Sequence, residues 1–271
     1  MTVNWRSLLA FVLLTFLISW TAWGILAVLS IGPGEALDLG LLLFIIGGLG
    51  PPIAAVIVTR FTEGSRSMRQ LLGRLLRWRV DVRWYGVAVL LPAVFVISAL
   101  LLDWLFRGEH TPIPAPDFVL IMVVLIITQS IFFGGLEEIA WRGYALPRLQ
   151  SSLNALTTSL VLGVVWAIWH APLFVIPGTT QTDLPAVPYF LVGLALAVLF
   201  TWIYNSTRGS LLLAVLLHGS FNAWLGSIVL LRDGIDSFTF WAVVMIVYLI
   251  ALIVIALYGT EHLAKTERQK T

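Results

Sequence analysis

Residues 118–144 read FVLIMVVLIITQSIFFGGLEEIAWRGY, and this stretch decides how the rest of the chain is interpreted. A long apolar run ends in two glycines, and the adjacent carboxylates Glu137 and Glu138 follow, with Arg142 four residues after the second. Charged side chains are costly within a bilayer, and where they occur they usually mark a functional site. The alternative is an ion cluster at the point where a helix leaves the membrane.

The composition of the chain predicts an integral membrane protein. Of its 271 residues, 59% are hydrophobic and only 11% are charged, against about 25% charged residues in soluble proteins. We expect an all-α, polytopic fold, with about eight transmembrane helices in one bundle that forms a single domain over residues 1–271. The absence of cysteine excludes disulfides, thiolate zinc sites and a cysteine nucleophile.

Apolar runs long enough to cross a bilayer give the expected spans. The first is read as a transmembrane helix and not as a signal peptide, because it is long and has no evident cleavage site. Three glycines and two prolines within residues 47–52 predict a break or kink in the second span. The expected spans are 8–30, 37–60, 84–106, 118–147, 154–176, 187–205, 209–231 and 238–259.

The distribution of charge predicts the topology. Residues 60–83 contain seven arginines and only two acidic residues, whereas Asp38, Glu109, Asp117 and Asp183 lie in loops on the other side. The positive-inside rule puts segment 60–83 and both termini in the cytoplasm, which we assign to a bacterial cell. Arginines and leucines alternate in this segment, so we expect an amphipathic helix on anionic lipid headgroups. Nucleic acid is not an expected partner, because membrane spans tether the segment at both ends.

Three groups of polar residues lie within or at the ends of predicted spans. Glu138 and Arg142 are four residues apart and can pair on one helical face, which leaves Glu137 on another face and free to act. His170 lies in the fifth span, and His218 and Asn222 share a face of the seventh. Each histidine or amide taken alone could simply bond to a neighbouring helix.

Taken together, these groups are the residue types that a hydrolytic site uses. A carboxylate can deprotonate a water molecule, and Asn and His can donate to a developing oxyanion. Two imidazoles and a carboxylate could instead bind Zn²⁺ and lower the pKa of its bound water. No serine elbow or cysteine is present, so the predicted nucleophile is water.

Three short motifs carry a resemblance to a known family. They are Glu137-Glu138-x-x-x-Arg142, Trp166-x-x-x-His170 and His218-x-x-x-Asn222. In this order the sequence resembles the CPBP family, which comprises type II CAAX prenyl endopeptidases and bacterial bacteriocin-processing or abortive-infection-like membrane metalloproteases. The matching region runs from about residue 130 to 225. One difference is that the second motif has Phe in the family where this chain has Trp166, which changes the pocket wall.

The resemblance implies a role for each motif residue. Glu137 would be the general base or a metal ligand, supported by Glu138 and oriented by Arg142. His170 and His218 would bind the water, or together with Glu137 a metal ion such as Zn²⁺ or another divalent cation. Asn222 would help to hold the oxyanion. The family fold implies eight helical spans and a catalytic cavity that opens toward the cytoplasm.

The depths of these residues test whether they can meet. Counted from the arginine-rich side at 1.5 Å per residue, Glu137 lies about 15 Å deep and His218 about 14 Å. His170 comes out at about 24 Å by the same rise. We therefore expect the fifth span to begin later, to tilt, or to break near Pro172.

The sequence thus predicts an intramembrane endopeptidase with its motif-bearing core at about residues 118–231. Its substrate would be a membrane-associated or lipidated peptide or protein. A catalytically silent scaffold or bacteriocin-immunity factor is the first alternative, and it would tolerate Glu137→Gln. A small transporter is the second, and it would need a water path across the whole membrane.

Overall fold

The computed structural model describes residues 4–34, 38–112, 114–232 and 234–265. Within these ranges the chain is helical and contains no strand, which confirms the predicted fold class. Residues 266–271 of the predicted polar tail (260–271) lie outside the described part. The described residues contain seven helical spans long and apolar enough to cross a membrane, or eight if one bent pair counts as a span.

Twelve α-helices follow one another along the described chain. They are α1 (Trp5–Leu29), α2 (Leu39–Gly48), α3 (Gly50–Thr62), α4 (Gly64–Gly73), α5 (Arg83–Arg107), α6 (Phe118–Ile131), α7 (Leu146–Leu149), α8 (Ala155–Trp169), α9 (Thr180–Asp183), α10 (Ala186–Ser206), α11 (Leu211–Arg232) and α12 (Ser237–Tyr258). Helix α11 packs against α5, α6 and α10, and α12 packs against α5 and α10. Leucines of α1 face outward with more than half of their surface exposed, as expected on a lipid-facing surface.

The second span is broken at Leu49, as the glycines and prolines predict. Helices α2 and α3 meet there at an angle of 49°. Side chains of α1 bond to carbonyl groups near the break: the Ser19 hydroxyl donates to Gly47 O over 2.7 Å, and the Trp23 indole donates to Phe44 O over 3.1 Å. The break is therefore stable in lipid because a neighbouring helix satisfies backbone groups beside it.

The fourth span is not the continuous helix that its length suggests. Helix α6 ends at Ile131, a 3₁₀ turn spans Gly135–Glu137, and a π-helical segment runs from Ile139 to Ala145 before α7. π-Helical segments often occur at functional sites. The two glutamates therefore lie in the break and not on a regular α-helix.

The fifth span begins at Ala155, as predicted, and breaks after Trp169. A 3₁₀ segment, Ala171–Val175, follows directly and contains Pro172. Of the three expected possibilities for this span, the structure shows the break near Pro172. His170 lies at the junction, where the chain leaves the α-helical direction.

The arginine-rich segment forms α4 and a 3₁₀ turn, Arg74–Leu76. Two of its arginines bind the protein: Arg74 donates to Gly143 O and to the Tyr204 hydroxyl, and Arg77 donates to Arg208 O. These contacts fix the segment to one end of the bundle, which we call the arginine-rich end. The other end, with residues 30–34, 108–112 and 176–185, we call the distal end.

Candidate active site

A sharp bend at Gly134 brings the carboxylates toward α11. Gly134 has φ +121°, a conformation that glycine adopts readily and other residues rarely. A Cβ at this position would lie 2.7 Å from His218 Nε2 and 2.9 Å from Asn222 Nδ2. Asn222 also donates to Phe133 O over 2.9 Å. The amide thus holds the backbone bend, and only glycine fits between it and the imidazole.

Glu137 is buried, and two tryptophans hold it. Its Oε2 atom accepts the indole N–H of Trp166 over 2.7 Å and that of Trp141 over 3.4 Å. No hydrogen bond from any described residue reaches Oε1. One carboxylate oxygen is therefore fixed by neutral donors, while the other is available to a ligand.

Glu138 lies between two cationic or ionisable groups. Arg142 Nη1 is 3.1 Å from Glu138 Oε2 and 3.2 Å from Oε1, so the expected ion pair is present. His218 Nδ1 lies 2.8 Å from Glu138 Oε1. All three side chains are at least 95% buried, with relative exposures of 0%, 1% and 4%. A buried carboxylate needs such partners, because its desolvation is otherwise very costly.

The hydrogen bonds of the two histidines define their tautomers. His170 Nδ1 lies 2.8 Å from Trp166 O, which can only accept, so Nδ1 carries the proton. In His218, Nδ1 likewise donates to the carboxylate of Glu138. In the neutral form of each imidazole, the Nε2 lone pair is then free for a ligand.

Trp166 lies between the two histidines. The centroid of its ring system is 5.1 Å from that of His170 and 5.6 Å from that of His218, both at steep interplanar angles. The same side chain donates to Glu137. Trp166 therefore connects all three motifs in space.

One cavity of about 440 Å³ joins these groups. Glu137, His170, His218 and Asn222 all contribute to its wall. Glu138 and Arg142 lie behind Glu137 and His218 and do not line the cavity. The remaining wall is largely apolar and includes Phe44, Phe132, Leu173, Leu196 and Phe240. A cavity of this size and lining suits a largely apolar ligand.

The proposed metal ligands are chemically suitable, because two imidazoles and a carboxylate are common zinc ligands. Their arrangement does not fit. Among the described residues, no group of three histidine, aspartate or glutamate side chains is placed to hold a metal ion. Glu137, His170 and His218 line one cavity but do not converge as a ligand set, so no catalytic step is derived through a metal.

The cavity extends toward the distal end of the bundle. Its wall includes Gly34, Leu41, Thr180 and Gln181, which lie toward the distal end. If the arginine-rich end is cytoplasmic, the cavity cannot also open toward the cytoplasm from the distal end. The cytoplasmic placement of the arginine-rich end and the direction in which the cavity opens both stay predictions.

Sequence reasoning named the residues that meet here but missed the role of the tryptophans. Trp141 follows Glu137 by four residues and Trp166 precedes His170 by four, so both could have been placed near the motifs by helical spacing. That their indoles share one carboxylate oxygen depends on packing between helices. Tyr189, whose ring centroid lies 5.6 Å from that of His170, carried no sequence signal.

Comparisons with known proteins agree with this site. A family model described as Type II CAAX prenyl endopeptidase Rce1-like matches residues 115–224, which hold all three motifs. CAAX prenyl protease 2 of Methanococcus maripaludis is 24% identical over 218 residues, which cover 75% of this chain and 78% of the relative.

Over residues 115–224 the chain is therefore similar to a family of CAAX prenyl endopeptidases. The resemblance predicted from the three motifs is therefore confirmed.

Proposed function

We propose that the protein is an intramembrane endopeptidase in which Glu137 activates a water molecule for attack on a peptide bond. The observation that carries the proposal is the state of Glu137, whose Oε2 is fixed by two indole donors while Oε1 is left to the cavity. A general base must be held in place and must also reach its proton. The similarity of residues 115–224 to a peptidase family supports the same reaction.

In the proposed reaction, Glu137 removes a proton from water as the water oxygen attacks the carbonyl carbon of the substrate. The other O–H of the water donates a hydrogen bond to Nε2 of one histidine, His170 or His218, and this bond orients the nucleophile. The protonated Glu137 then gives its proton to the leaving nitrogen as the C–N bond breaks. The products are an amine and a carboxylic acid, which loses its proton to solvent on release, and Glu137 returns to its starting state.

The tetrahedral intermediate carries a negative oxygen that needs a donor. Asn222 uses one amide N–H to hold Phe133 O, and its second N–H is the donor that we assign to this oxygen. Glu138 and Arg142 act behind the site as positioning residues. Glu138 fixes the tautomer of His218, and Arg142 balances the charge of Glu138.

The apolar cavity wall supports a membrane-associated or lipidated peptide as the substrate. The relative from Methanococcus maripaludis is named for prenylated substrates, which makes an isoprenoid-modified peptide a useful first probe. The exposed arginines Arg66, Arg69 and Arg79 are the side chains that we propose to contact anionic headgroups, because Arg74 and Arg77 bind the protein.

The test is Glu137→Gln in protein reconstituted into lipid vesicles. Gln keeps the size of the side chain and can still accept from the indoles, but it cannot act as a base. We expect the rate of peptide cleavage to fall by about 10²- to 10⁴-fold. The assay uses fluorogenic peptides with and without a C-terminal isoprenoid group, and thermal unfolding checks that the variant folds.

Glu109→Gln is the control, because Glu109 is an exposed carboxylate at the distal end with only a 3.8 Å contact to Arg232. It should cleave at the wild-type rate. If Glu137→Gln were as active as this control, Glu137 would not be the base and the scaffold alternative would gain support.

A further inference from the structure

A second, smaller cavity lies at the arginine-rich end, where α5 begins and where α10 and α12 end. We call it the basic pocket. Its volume is about 200 Å³, and its wall includes Arg83 and Val87 of α5, Trp202 of α10, Tyr258 of α12 and Lys265 beyond α12. None of these residues lines the active-site cavity. The basic pocket is therefore a separate site, to which the proposed reaction assigns no role.

The wall of the basic pocket is positively charged. Arg83 and Lys265 line it, and within the described part of the chain no carboxylate does. Arg83 pairs with Asp81 over 3.3 Å, but both side chains are more than half exposed, and such surface pairs contribute little. Lys265 has no ion pair with any described residue. The pocket therefore attracts an anion.

Two residues of the wall also carry polar atoms that lack a partner. The Trp202 indole N–H and the Ser206 hydroxyl are buried, and neither has a hydrogen-bond partner among the described residues. Buried polar groups are normally hydrogen-bonded. Phosphate has several acceptor oxygens and binds both Arg and Lys side chains, so its chemistry suits donors and cations of this kind.

The depth of the basic pocket matches the headgroup layer of a bilayer. Arg83 and Val87 are about one helical turn apart, so the pocket reaches about 6 Å into the span from the first residue of α5. The headgroup layer on each side of a bilayer is about 5–8 Å thick. Trp and Tyr side chains, which form much of the remaining wall, are enriched in the same layer.

An apolar strip of α5 continues from the basic pocket toward the middle of the span. Leu90 and Val94 follow Val87 by three and seven residues, so the three side chains share one helical face. Leu90 is 60% exposed and Val94 is 48% exposed, as expected of residues that contact lipid. The pocket is smaller than the about 300–1,000 Å³ of cavities that enclose whole small molecules. A headgroup can therefore enter it while the attached acyl chains remain outside, along the strip.

We propose that the basic pocket binds the phosphate headgroup of one anionic phospholipid, such as phosphatidylglycerol, with an acyl chain along Val87, Leu90 and Val94. The proposal does not depend on the proposed reaction. It also differs from the general contact of exposed arginines with anionic headgroups, because the pocket holds one lipid molecule at a fixed position.

Native mass spectrometry of the full chain in neutral detergent tests the proposal, because it counts the lipids that stay bound. The protein is titrated with dioleoyl phosphatidylglycerol or with dioleoyl phosphatidylcholine. We expect the first phosphatidylglycerol to bind at least about tenfold more tightly than phosphatidylcholine. The double variant Arg83→Gln/Lys265→Gln should lose about 30-fold in affinity for phosphatidylglycerol, since each cation near a membrane surface contributes about 5-fold.

Arg66→Gln/Arg69→Gln is the matched control, because it removes the same charge from two exposed arginines outside the basic pocket. It should keep the wild-type affinity for the first phosphatidylglycerol. An equal loss in both double variants would show that binding follows total charge, and it would overturn the proposal. Equal affinity of the wild type for the two lipids would also overturn it. So would displacement of phosphatidylglycerol by millimolar inorganic phosphate, which would identify a site for a free anion.

Val87→Phe tests the basic pocket without a change of charge. The larger side chain should fill the space that the headgroup needs and so weaken the binding of phosphatidylglycerol. Leu249→Phe is its control, because Leu249 of α12 is 57% exposed and does not line the pocket. Thermal unfolding without added lipid shows which variants fold. If the charge variant does not fold, Val87→Phe decides, and wild-type affinity in folded Val87→Phe would overturn the proposal.

Discussion

The role of Trp166 is the main feature of this chain at the scale of single residues. The family motif has Phe at this position, and Phe cannot donate a hydrogen bond. Here the indole N–H of Trp166 reaches Glu137 over 2.7 Å, and the ring lies against both His170 and His218. The substitution therefore changes more than the shape of the pocket wall, because it adds a donor to the proposed base.

Trp166→Phe should lower kcat and leave KM nearly unchanged. A hydrogen bond to a charged group is worth about 1.5–3 kcal/mol, which corresponds to a loss of about 10- to 100-fold in rate. The apolar wall that the substrate contacts is kept, so binding should not suffer. Steady-state kinetics with the fluorogenic peptides measure both constants.

Trp202→Phe is the matched control for this change. Trp202 is buried beside Trp84 and Tyr258, away from the cavity, and its indole N–H has no partner among the described residues. Its replacement should leave both constants unchanged. An unaltered kcat in Trp166→Phe would mean that Trp141 alone suffices to orient Glu137.

Much of the candidate site could be predicted from the sequence. The spacing of Glu138 and Arg142 predicted their ion pair. The three motifs also named Glu137, His170, His218 and Asn222, which line the cavity. The bond from Glu138 to His218 was not predictable, because it joins residues 80 positions apart across two helices. The hydrogen bond from Asn222 to Phe133 O was not predictable either. It uses one of the two N–H groups of the amide that was assigned to the oxyanion.

At the scale of elements, the break between α2 and α3 depends on close contact with α1. A Cβ on Gly47 would lie 2.1 Å from Trp23 Nε1 and 2.4 Å from its Cδ1. Trp23 is 1% exposed and packs against Trp169 with ring centroids 4.7 Å apart. The indole therefore has no room to retreat from a larger side chain.

Gly47→Ala should destabilise the protein by about 1–3 kcal/mol, as overpacking of a filled core does. The displaced indole would also lose its hydrogen bond to Phe44 O. Gly48→Ala is the control next to it, because a Cβ there meets no atom within 4 Å. Thermal unfolding in detergent micelles should show a lower melting temperature for the first variant alone. Equal melting temperatures would show that α1 moves away at little cost.

At the scale of the whole molecule, charged side chains at the distal end form a network that joins helices. Asp103 of α5 is fully buried and binds Arg107 of the same helix, Arg232 of α11 and the Thr239 hydroxyl of α12. Asp236 completes the network through Arg107 Nη2 at 3.0 Å and Thr239 at 2.7 Å. These ion pairs join the ends of three helices. Sequence reasoning missed Asp103, which is a single acid in an apolar span.

Asp236→Asn should lower stability at neutral pH, and the difference from wild type should shrink in acid. Partial burial raises the pKa of Asp236, but hydrogen bonds from Thr239 and the nearby Arg107 guanidinium outweigh it, so the pKa lies below its usual value of 3.8. A lowered pKa adds stability that is present above about pH 4 and is lost as pH falls through the folded-state pKa. Melting temperatures from pH 7 to pH 3 measure this.

Asn at position 236 can still cap α12, where the aspartate accepts from Phe238 N and Thr239 N. The variant thus isolates the charge. Asp38→Asn is the control, because Asp38 caps α2 in the same way and has no ion pair among the described residues. A difference that stayed constant with pH would indicate that the Arg107 contact contributes nothing.

The overall fold was largely predictable because the bilayer imposes it. Long apolar runs must be helical where no water can satisfy the backbone, and the bounds of α5, α10, α11 and α12 lie close to the expected ones. The interior of the fourth span was less predictable. Its 3₁₀ and π segments depend on the Gly134 bend and on bonds from α11, which no local pattern encodes.

The break at Leu49 also bears on how the chain is built. Ser19 and Trp23 emerge from the ribosome before the carbonyl groups of Phe44 and Gly47 that they will bind. A bent second helix released into lipid without α1 would expose unsatisfied backbone groups. We therefore expect residues 5–62 to enter the bilayer as one helical hairpin during synthesis, with the pairing of α1 and the broken helix completed before the motif-bearing helices arrive.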